Sequence, residues 1–560
     1  MPPRRSSRAA STKPASKAAD KPDAKLATKP AARGRAKTTT VTKNSTKRAA
    51  SPENSPPPPA KRSRPTSKAA PNGAAGTNEK NKDDPEVKSK ETKAPAPKKA
   101  GEPRLTKPIK PPFNALPTPP PHIRPAPQLF VWGAGNFGQF GLGPDNLGEH
   151  DKPRRNQWVE EKIDEGVFGE DGAGLEAIAA GGLHSLFIDE KGTVWSCGNN
   201  DNASLGRVTT QVPNPDNPDE FLDTDTVTSY PYPLQSLVDE GFRAVRIAAG
   251  DSVSAAISDK GELRVWGTFR GVEGDLGFSS DSKLQNLPVP ILDIKSKPSN
   301  PEKFVDVAAG NNHLLVLTTH GNVYASGASE QGQLGRKVLE RRKIHGTTPE
   351  KIILGNRTHK AVVVGAGSYT SFAVDEQGTV WAWGLNNMGQ TGTGFASASA
   401  DSEVPAPKKV VGLSRKELKD DEHVVQIAGG EHHTLFRTSK GRVFACGRSD
   451  GGQLGLAKDD EAFKEQEFPG MLGEPVLVTF PDSDDPIIHI SAGIHNNLAV
   501  SQNGALYSWG TGPQGELGTG GDEMIETPRM IVRREGGSWA AVLAACGGQH
   551  CLALLKKKKN

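Results

Sequence analysis

Seven times from residue 131 onward the chain writes a β-branched residue or leucine, then an aromatic, then small residues and glycine. The aromatic positions are Trp132, Trp195, Trp266, Tyr324, Trp381, Phe444 and Tyr507, separated by 63, 71, 58, 57, 63 and 63 residues. A period of this length, sustained across the segment, marks a repeat architecture and is too long for helical-hairpin repeats. Whatever the chain does must therefore be read from the places where the repeat is interrupted.

A second signature runs in step with the first, at Ala180-Gly181, Ala249-Gly250, Ala309-Gly310, Ala366-Gly367, Ala428-Gly429, Ala492-Gly493 and Cys546-Gly547. Each is followed by a short apolar run and mostly by a Lys-Gly, Gln-Gly or Asn-Gly turn, which reads as strand, tight turn, strand. The spacing places His184, His313, His432 and His550 at one shared position of four units. The first aromatic strand has no Ala-Gly strand before it, and the last Ala-Gly strand has no aromatic strand after it. The ends complete each other, so the expected fold is all-β: a seven-bladed propeller closed by pairing N- and C-terminal strands.

Charge divides the chain. Residues 1 to 110 carry 28 Lys and Arg against 9 Asp and Glu, about +19, and the other 450 carry 42 against 56, about −14. The basic part is rich in Ala, Pro, Lys, Ser and Thr and cannot bury enough apolar surface to offset ordering entropy. The expected organisation is a disordered basic tail over 1–125, a propeller over 126–556 and a basic end at 557–560. Neither a run of about twenty apolar residues nor a secretory leader is evident, which predicts a soluble, intracellular protein with no membrane role. Cys197, Cys446, Cys546 and Cys551 show no C-x-x-C spacing and read as buried free thiols. Within the tail, Lys47-Arg48 and Lys61-Arg62-Ser63-Arg64 are twelve residues apart, the spacing of a bipartite nuclear localisation signal for an import receptor. The tail is also suited to salt-dependent contact with DNA phosphates. Ser51-Pro52 and Ser55-Pro56 in the spacer resemble proline-directed phosphorylation sites, where phosphate would cut the positive charge.

The repeat with its Gly-Gln-Leu-Gly tails resembles the regulator of chromosome condensation family over about residues 126 to 556. A basic tail ahead of seven units is most similar to the family's chromatin-bound, nuclear guanine nucleotide exchange factors for the small GTPase Ran, of fungal type. That resemblance implies a non-covalent activity with no cofactor and no metal. It identifies the segment Gly267, Thr268, Phe269, Arg270, Gly271, Val272, Glu273 and Gly274 as the family's β-wedge, with Thr268, Phe269 and Arg270 expected to carry the contact. It further implies a Ran-facing set of Asn136, His184, Asp251, Asn312, His432 and His550. Asn136 and Asn312 stand where animal relatives carry Asp, and Gly389 where they carry His, which predicts weaker steering of a basic GTPase surface. The basic run Arg336, Lys337, Arg341, Arg342 and Lys343 resembles the loop that family members insert into the acidic patch of the histone octamer, and is expected on the opposite face. No Ser-His-Asp set, metal-ligand cluster or Gly-x-x-x-x-Gly-Lys-Ser/Thr loop appears, which argues against an enzyme. A propeller scaffold that binds chromatin without exchange is the alternative.

Overall fold

The computed structural model describes residues 112–558, apart from 216, 218, 279–281, 396–401, 465–467, 469 and 534–535, and gives only the backbone at 340, 341 and 343. The nuclear localisation residues Lys47, Arg48, Lys61, Arg62 and Arg64 lie outside the described residues.

Seven four-stranded antiparallel sheets form the blades of a propeller. Blade 1 comprises, from the axis outwards, Leu175–Ala180, His184–Asp189, Val194–Gly198 and Tyr232–Pro233. Blades 2 to 6 repeat this order, with innermost strands Ala244–Ala249, Phe304–Ala309, Ala361–Ala366, Val424–Gly429 and Ile487–Ala492. Blade 7 takes its two inner strands, Trp539–Cys546 and His550–Lys557, from one end of the chain and its two outer ones, Gln128–Ala134 and Glu149–Arg155, from the other. The closing register runs from Gln128 opposite Leu555 to Gly133 opposite His550. Innermost strands neighbour one another around the ring, and Trp539–Cys546 adjoins Leu175–Ala180. The out-of-phase signatures at the two ends thus predict the closure that is found.

Strand composition follows from this packing. Second strands such as His184–Asp189 and Thr370–Asp375 are buried along their whole length because their sheets are covered on both sides by neighbouring blades. Among the described residues, buried apolar side chains fall into seven clusters, one in each gap between blades. Trp132, Trp266, Trp383 and Trp509 are fully buried. Their ring N–H groups donate to the carbonyls of Glu516, Ser204, Gln333 and Gln453 at 2.7, 2.8, 2.9 and 3.1 Å. Each indole therefore gains about 5 kcal/mol from some 200 Å² of burial without orphaning its donor. The four cysteines are free and buried, and burial pushes the Cys197 thiol up to about 12. Among the described residues no helix is long and apolar enough to cross a membrane.

Antiparallel order gives the ring two distinct faces. Connections from first to second strand and from third to outer strand emerge on one side, the loop face; the tight turns from second to third strand emerge on the other, the turn face. Residues 112–127 run across the turn face, contrary to the expected disorder through residue 125. Asn114 donates its backbone N–H to Thr319 O at 3.0 Å and its amide to Thr318 O and Ala361 O at 2.9 and 3.0 Å. Farther along, the Arg124 guanidinium grips both Glu190 carboxylate oxygens at 2.7 Å. These bonds tie a proline-rich strap to blades 1, 3 and 4.

Candidate functional site

The Ala-Gly loops meet around the axis of the loop face. Their backbones are bonded blade to blade: Gly548 N to Gly181 O at 2.9 Å, Gly182 N to Gly250 O at 3.0 Å, Asp251 N to Asn311 O at 2.9 Å, Asn311 N to Ser368 O at 3.0 Å, Ser368 N to Gly430 O at 3.0 Å and Glu431 N to Ile494 O at 3.1 Å. The belt surrounds a depression of about 280 Å³. Glycine is needed where blades approach this closely: a Cβ on Gly181 would lie 2.3 Å from His184 Cε1 and 2.7 Å from Gly250 O.

Just beneath the belt, a histidine in four of the seven units reaches to the next blade. His184, His313 and His550 place Nε2 at 2.8, 2.9 and 2.9 Å from the hydroxyls of Ser254, Ser371 and Ser185. Each serine donates its own proton to a carbonyl, Ser204 O, Gln333 O or Gln139 O, leaving its oxygen to accept the imidazole N–H. In blade 5 this position is held by His433, whose Nε2 lies 2.7 Å from Asn497 Oδ1. The expected equivalence of His432 with the other three is therefore displaced by one residue: the glycine three positions before the buried histidine is Gly430, so Gly429-Gly430 occupies the place of Ala180-Gly181. Burial holds His184, His313 and His433 down to about 4 and His550 to about 3, so all four are neutral near pH 7. His184 and His550 are 1% and 0% exposed, and face neighbouring blades rather than a partner.

The rim holds what a partner can reach. Asn136 is exposed, and Asp251, Asn312 and His432 are half-buried. His432 Nδ1 and His495 Nε2 lie 3.5 and 3.6 Å from Glu431 Oε2. That pairing, with His432 above all, holds the Glu431 carboxyl below its ordinary range. Glu431 and His495 sit at variable positions of the Ala-Gly loops, to which the repeat pattern assigns no role.

Between the third strand of blade 2, Leu263–Gly267, and its outer strand, Gln285–Val289, the rim is broken by a small hairpin. Arg270 pairs with Asp275 and Gly271 with Gly274, an isolated two-stranded ladder. Its tip is Val272-Glu273, and Val272 is 83% exposed. Thr268 and Phe269, expected to make the contact, are instead 0% exposed. Phe269 packs edge-on against Phe278 with ring centres 5.0 Å apart, and the Thr268 hydroxyl donates to Lys283 O at 2.7 Å. They anchor the hairpin, while the tip projects. Arg270 lies on its flank, 3.6 Å from both Asp251 Oδ2 and Asp275 Oδ1. Desolvation, opposed by Arg270, raises the Asp251 carboxyl.

The basic run falls between Val323–Gly327 and Glu350–Ile352, which is again a third-to-outer connection. It therefore lies on the loop face, not the opposite one, and Thr347 Oγ1, which donates to Ile344 O at 2.8 Å, approaches Phe278 O beneath the hairpin to 3.4 Å. Arg336 is not free for a partner: its guanidinium donates to the carbonyls of His345, Gly346 and Thr348 at 3.2, 3.3 and 3.0 Å and folds the excursion on itself. Lys337 and Arg342 are exposed; the side chains of Arg341 and Lys343 lie outside the described ones.

The family model for the RCC1-like domain matches residues 128–553. The chain belongs to the RCC1-like family. Among relatives of this RCC1-like protein, the guanine nucleotide exchange factor SRM1 of Saccharomyces cerevisiae is 33% identical over 449 residues, 76% of this chain and 86% of its own. A crystal structure of Prp20p from Saccharomyces cerevisiae, described with its binding to Gsp1p and histones, superposes with a TM-score of 0.66 at 30% identity, covering 78% of this chain and 93% of that one. Yeast RCC1 (Prp20) bound to Kap60 gives a TM-score of 0.65 at 30% identity, covering 85% and 97%.

Proposed function

We propose that the chain is a guanine nucleotide exchange factor for the small GTPase Ran, acting by pressing the Val272-Glu273 tip against the GTPase's phosphate-binding region. The observation that carries this reading is the hairpin: among the described residues it is the one isolated two-stranded ladder, anchored at its root and bearing an apolar residue at its apex. Its relative SRM1 supports the exchange chemistry, and Prp20p, with its binding to Gsp1p, supports a GTPase partner.

The physical requirements are modest. A GTPase holds its nucleotide through a phosphate-cradling loop and Mg²⁺. An exchanger needs only to bind the nucleotide-free state better than the loaded one, which lowers the barrier to release. No bond is made or broken. A stiff ring with one protruding element fits, because force on the tip is resisted through Phe269 and Thr268 by the blade behind it.

The reading extends to a nuclear, chromatin-associated protein. The tail's charge of about +19 suits DNA phosphate and histone contact. Exposed Lys337 and Arg342 provide a further cationic point for histone carboxylates. Histone binding by Prp20p and the Kap60 complex of yeast RCC1 support these partners, the latter through import-receptor capture of Lys47, Arg48, Lys61, Arg62 and Arg64.

Release of labelled GDP from Ran by catalytic amounts of the full chain tests the proposal. Val272→Asp, at a position that bears no folding load, is expected to slow release at least ~10-fold with an unchanged melting temperature. Fast release by this variant would move the site away from the hairpin. Absence of any acceleration by the unmodified chain would favour the chromatin-binding scaffold.

A further inference from the structure

A two-residue ladder is marginal by itself in water, yet this one has to keep its direction while pushing on a partner. Anchors at Thr268 and Phe269 fix its root, where they take the N–H groups of Leu276 and Gly277 and pack on Phe278. The far half of the hairpin is held from the next blade. Glu330, in the loop that follows Val323–Gly327 of blade 3, directs its carboxylate at the ladder: Oε1 accepts the Val272 N–H at 3.3 Å, and Oε2 accepts the Ser329 N–H at 3.0 Å, which fixes the side chain's own direction. Asn312 of the same blade contributes lower down, its Oδ1 accepting the Arg270 N–H at 2.9 Å.

A second observation points to the same strut. Gly271 lies against this carboxylate, and a Cβ there would come within 2.5 Å of Glu330 Oε1. Glycine at 271 thus leaves room for the oxygen to reach the next residue's amide. On the opposite flank the hairpin leans on blade 2 through Arg270 and Asp251. The ladder is consequently suspended between two blades, and displacing either support lets the tip swing.

We propose that Glu330 is a positioning residue, a brace from blade 3 that holds the Val272-Glu273 tip at the angle needed for nucleotide release. The proposal rests on the exchange reading above for its consequence but not for its geometry. It acts on the efficiency of the push more than on docking, since Glu330 supports the hairpin from behind instead of forming its apex. Removing the carboxylate should therefore lower the maximal exchange rate and leave the half-saturating GTPase concentration nearly constant.

Two measurements on the full chain decide it. Hydrogen–deuterium exchange over the peptide containing Val272 is expected to speed up in Glu330→Ala, and in Gly271→Ala, where the new methyl displaces the carboxylate. Maximal GDP release should fall about 10-fold in both, the size of one charge-assisted hydrogen bond, with half-saturation within about 2-fold and an unchanged melting temperature. Glu330→Gln keeps an accepting oxygen and should recover most of both readouts. Unaltered protection of the Val272 peptide in Glu330→Ala would overturn the brace, as would lost protection with an undiminished maximal rate. If the unmodified chain releases no GDP while Glu330→Ala still frees the hairpin, the exchange reading fails and the role in release fails with it, while the strut itself stands.

Discussion

The buried histidines make stability acid-sensitive in a way that one substitution can isolate. His313 is neutral in the folded ring, where burial holds its imidazole down to about 4; in the unfolded chain it takes an ordinary value near 6.5. Below about pH 6.5 the unfolded state therefore binds a proton that the folded state refuses. The stability it contributes is full above that value, erodes as pH falls, and stops changing below about 4. From the two values the loss is about 2 kcal/mol at pH 5 and about 3 kcal/mol below pH 4. The variant is His313→Asn, because blade 6 already carries Asn496 at this position. Urea unfolding at constant ionic strength from pH 7.5 to 4.5 should show the variant somewhat weaker at neutral pH but flatter against pH, by about one proton's slope, or ~1.4 kcal/mol per pH unit near pH 5. Taking the difference between parent and variant cancels the carboxylates that titrate in the same range. Parallel curves would refute the argument, since they would mean that His313 takes up no proton on unfolding.

Phe269→Ala should cost roughly 3–5 kcal/mol in urea unfolding, because the ring is fully enclosed against Phe278; any loss of exchange in that variant would report a collapsed root, not a lost contact. Arg336→Ala should expose the 336–350 excursion to limited proteolysis by freeing three carbonyls, whereas Lys337→Ala should leave it resistant. Gly181→Ala should lower the melting temperature by forcing apart blades 1 and 2 at the belt. Asn114→Ala with Arg124→Ala should release the strap, seen as faster deuterium exchange over 112–127, at a global cost of only about 1–2 kcal/mol because both sites border solvent.

The fold was legible because its determinants repeat. Every unit solves the same packing problem, so the Ala-Gly strands and bend glycines recur, and the mismatch at the two ends gives the closure. The aromatics fall in two registers, since Trp132 and Trp266 align with Trp383 and Trp509, two residues beyond the positions of Trp381 and Tyr507 with which the spacing groups them. The hairpin was legible as an interruption, but not the orientation of its side chains. Thr268 and Phe269 follow a strand directly, and a change in backbone direction at Gly267 turns them inward, which no residue pattern announces. His432 and His433 are adjacent, so spacing alone could not say which of them the neighbouring blade receives; the answer lies in the approach of Gly430. Charge runs mislead for a related reason. Arg336 reads as a solvated cation, yet three carbonyls brought round by the 3-10 turn at Glu340–Gly346 enclose it. Proline-rich sequence likewise reads as linker at 112–127, where the decisive bonds are to backbone carbonyls more than 200 positions away. Glu330 gave no signal at all, being one polar residue ahead of a repeat tail.

The closing blade also constrains how the molecule is made. Strand Gln128–Ala134 pairs with Glu149–Arg155 soon after synthesis, but its other edge is reserved for His550–Lys557. At ordinary translation rates the intervening stretch of about 415 residues takes roughly 20–80 s to emerge from the ribosome. Through that interval the nascent chain carries an open, apolar β-edge, and successive blades stack into an arc whose first and last members are unsatisfied. A chaperone that shields Leu129 and Val131 during elongation, or a stop codon that removes the final strand, would thus decide whether a ring forms at all.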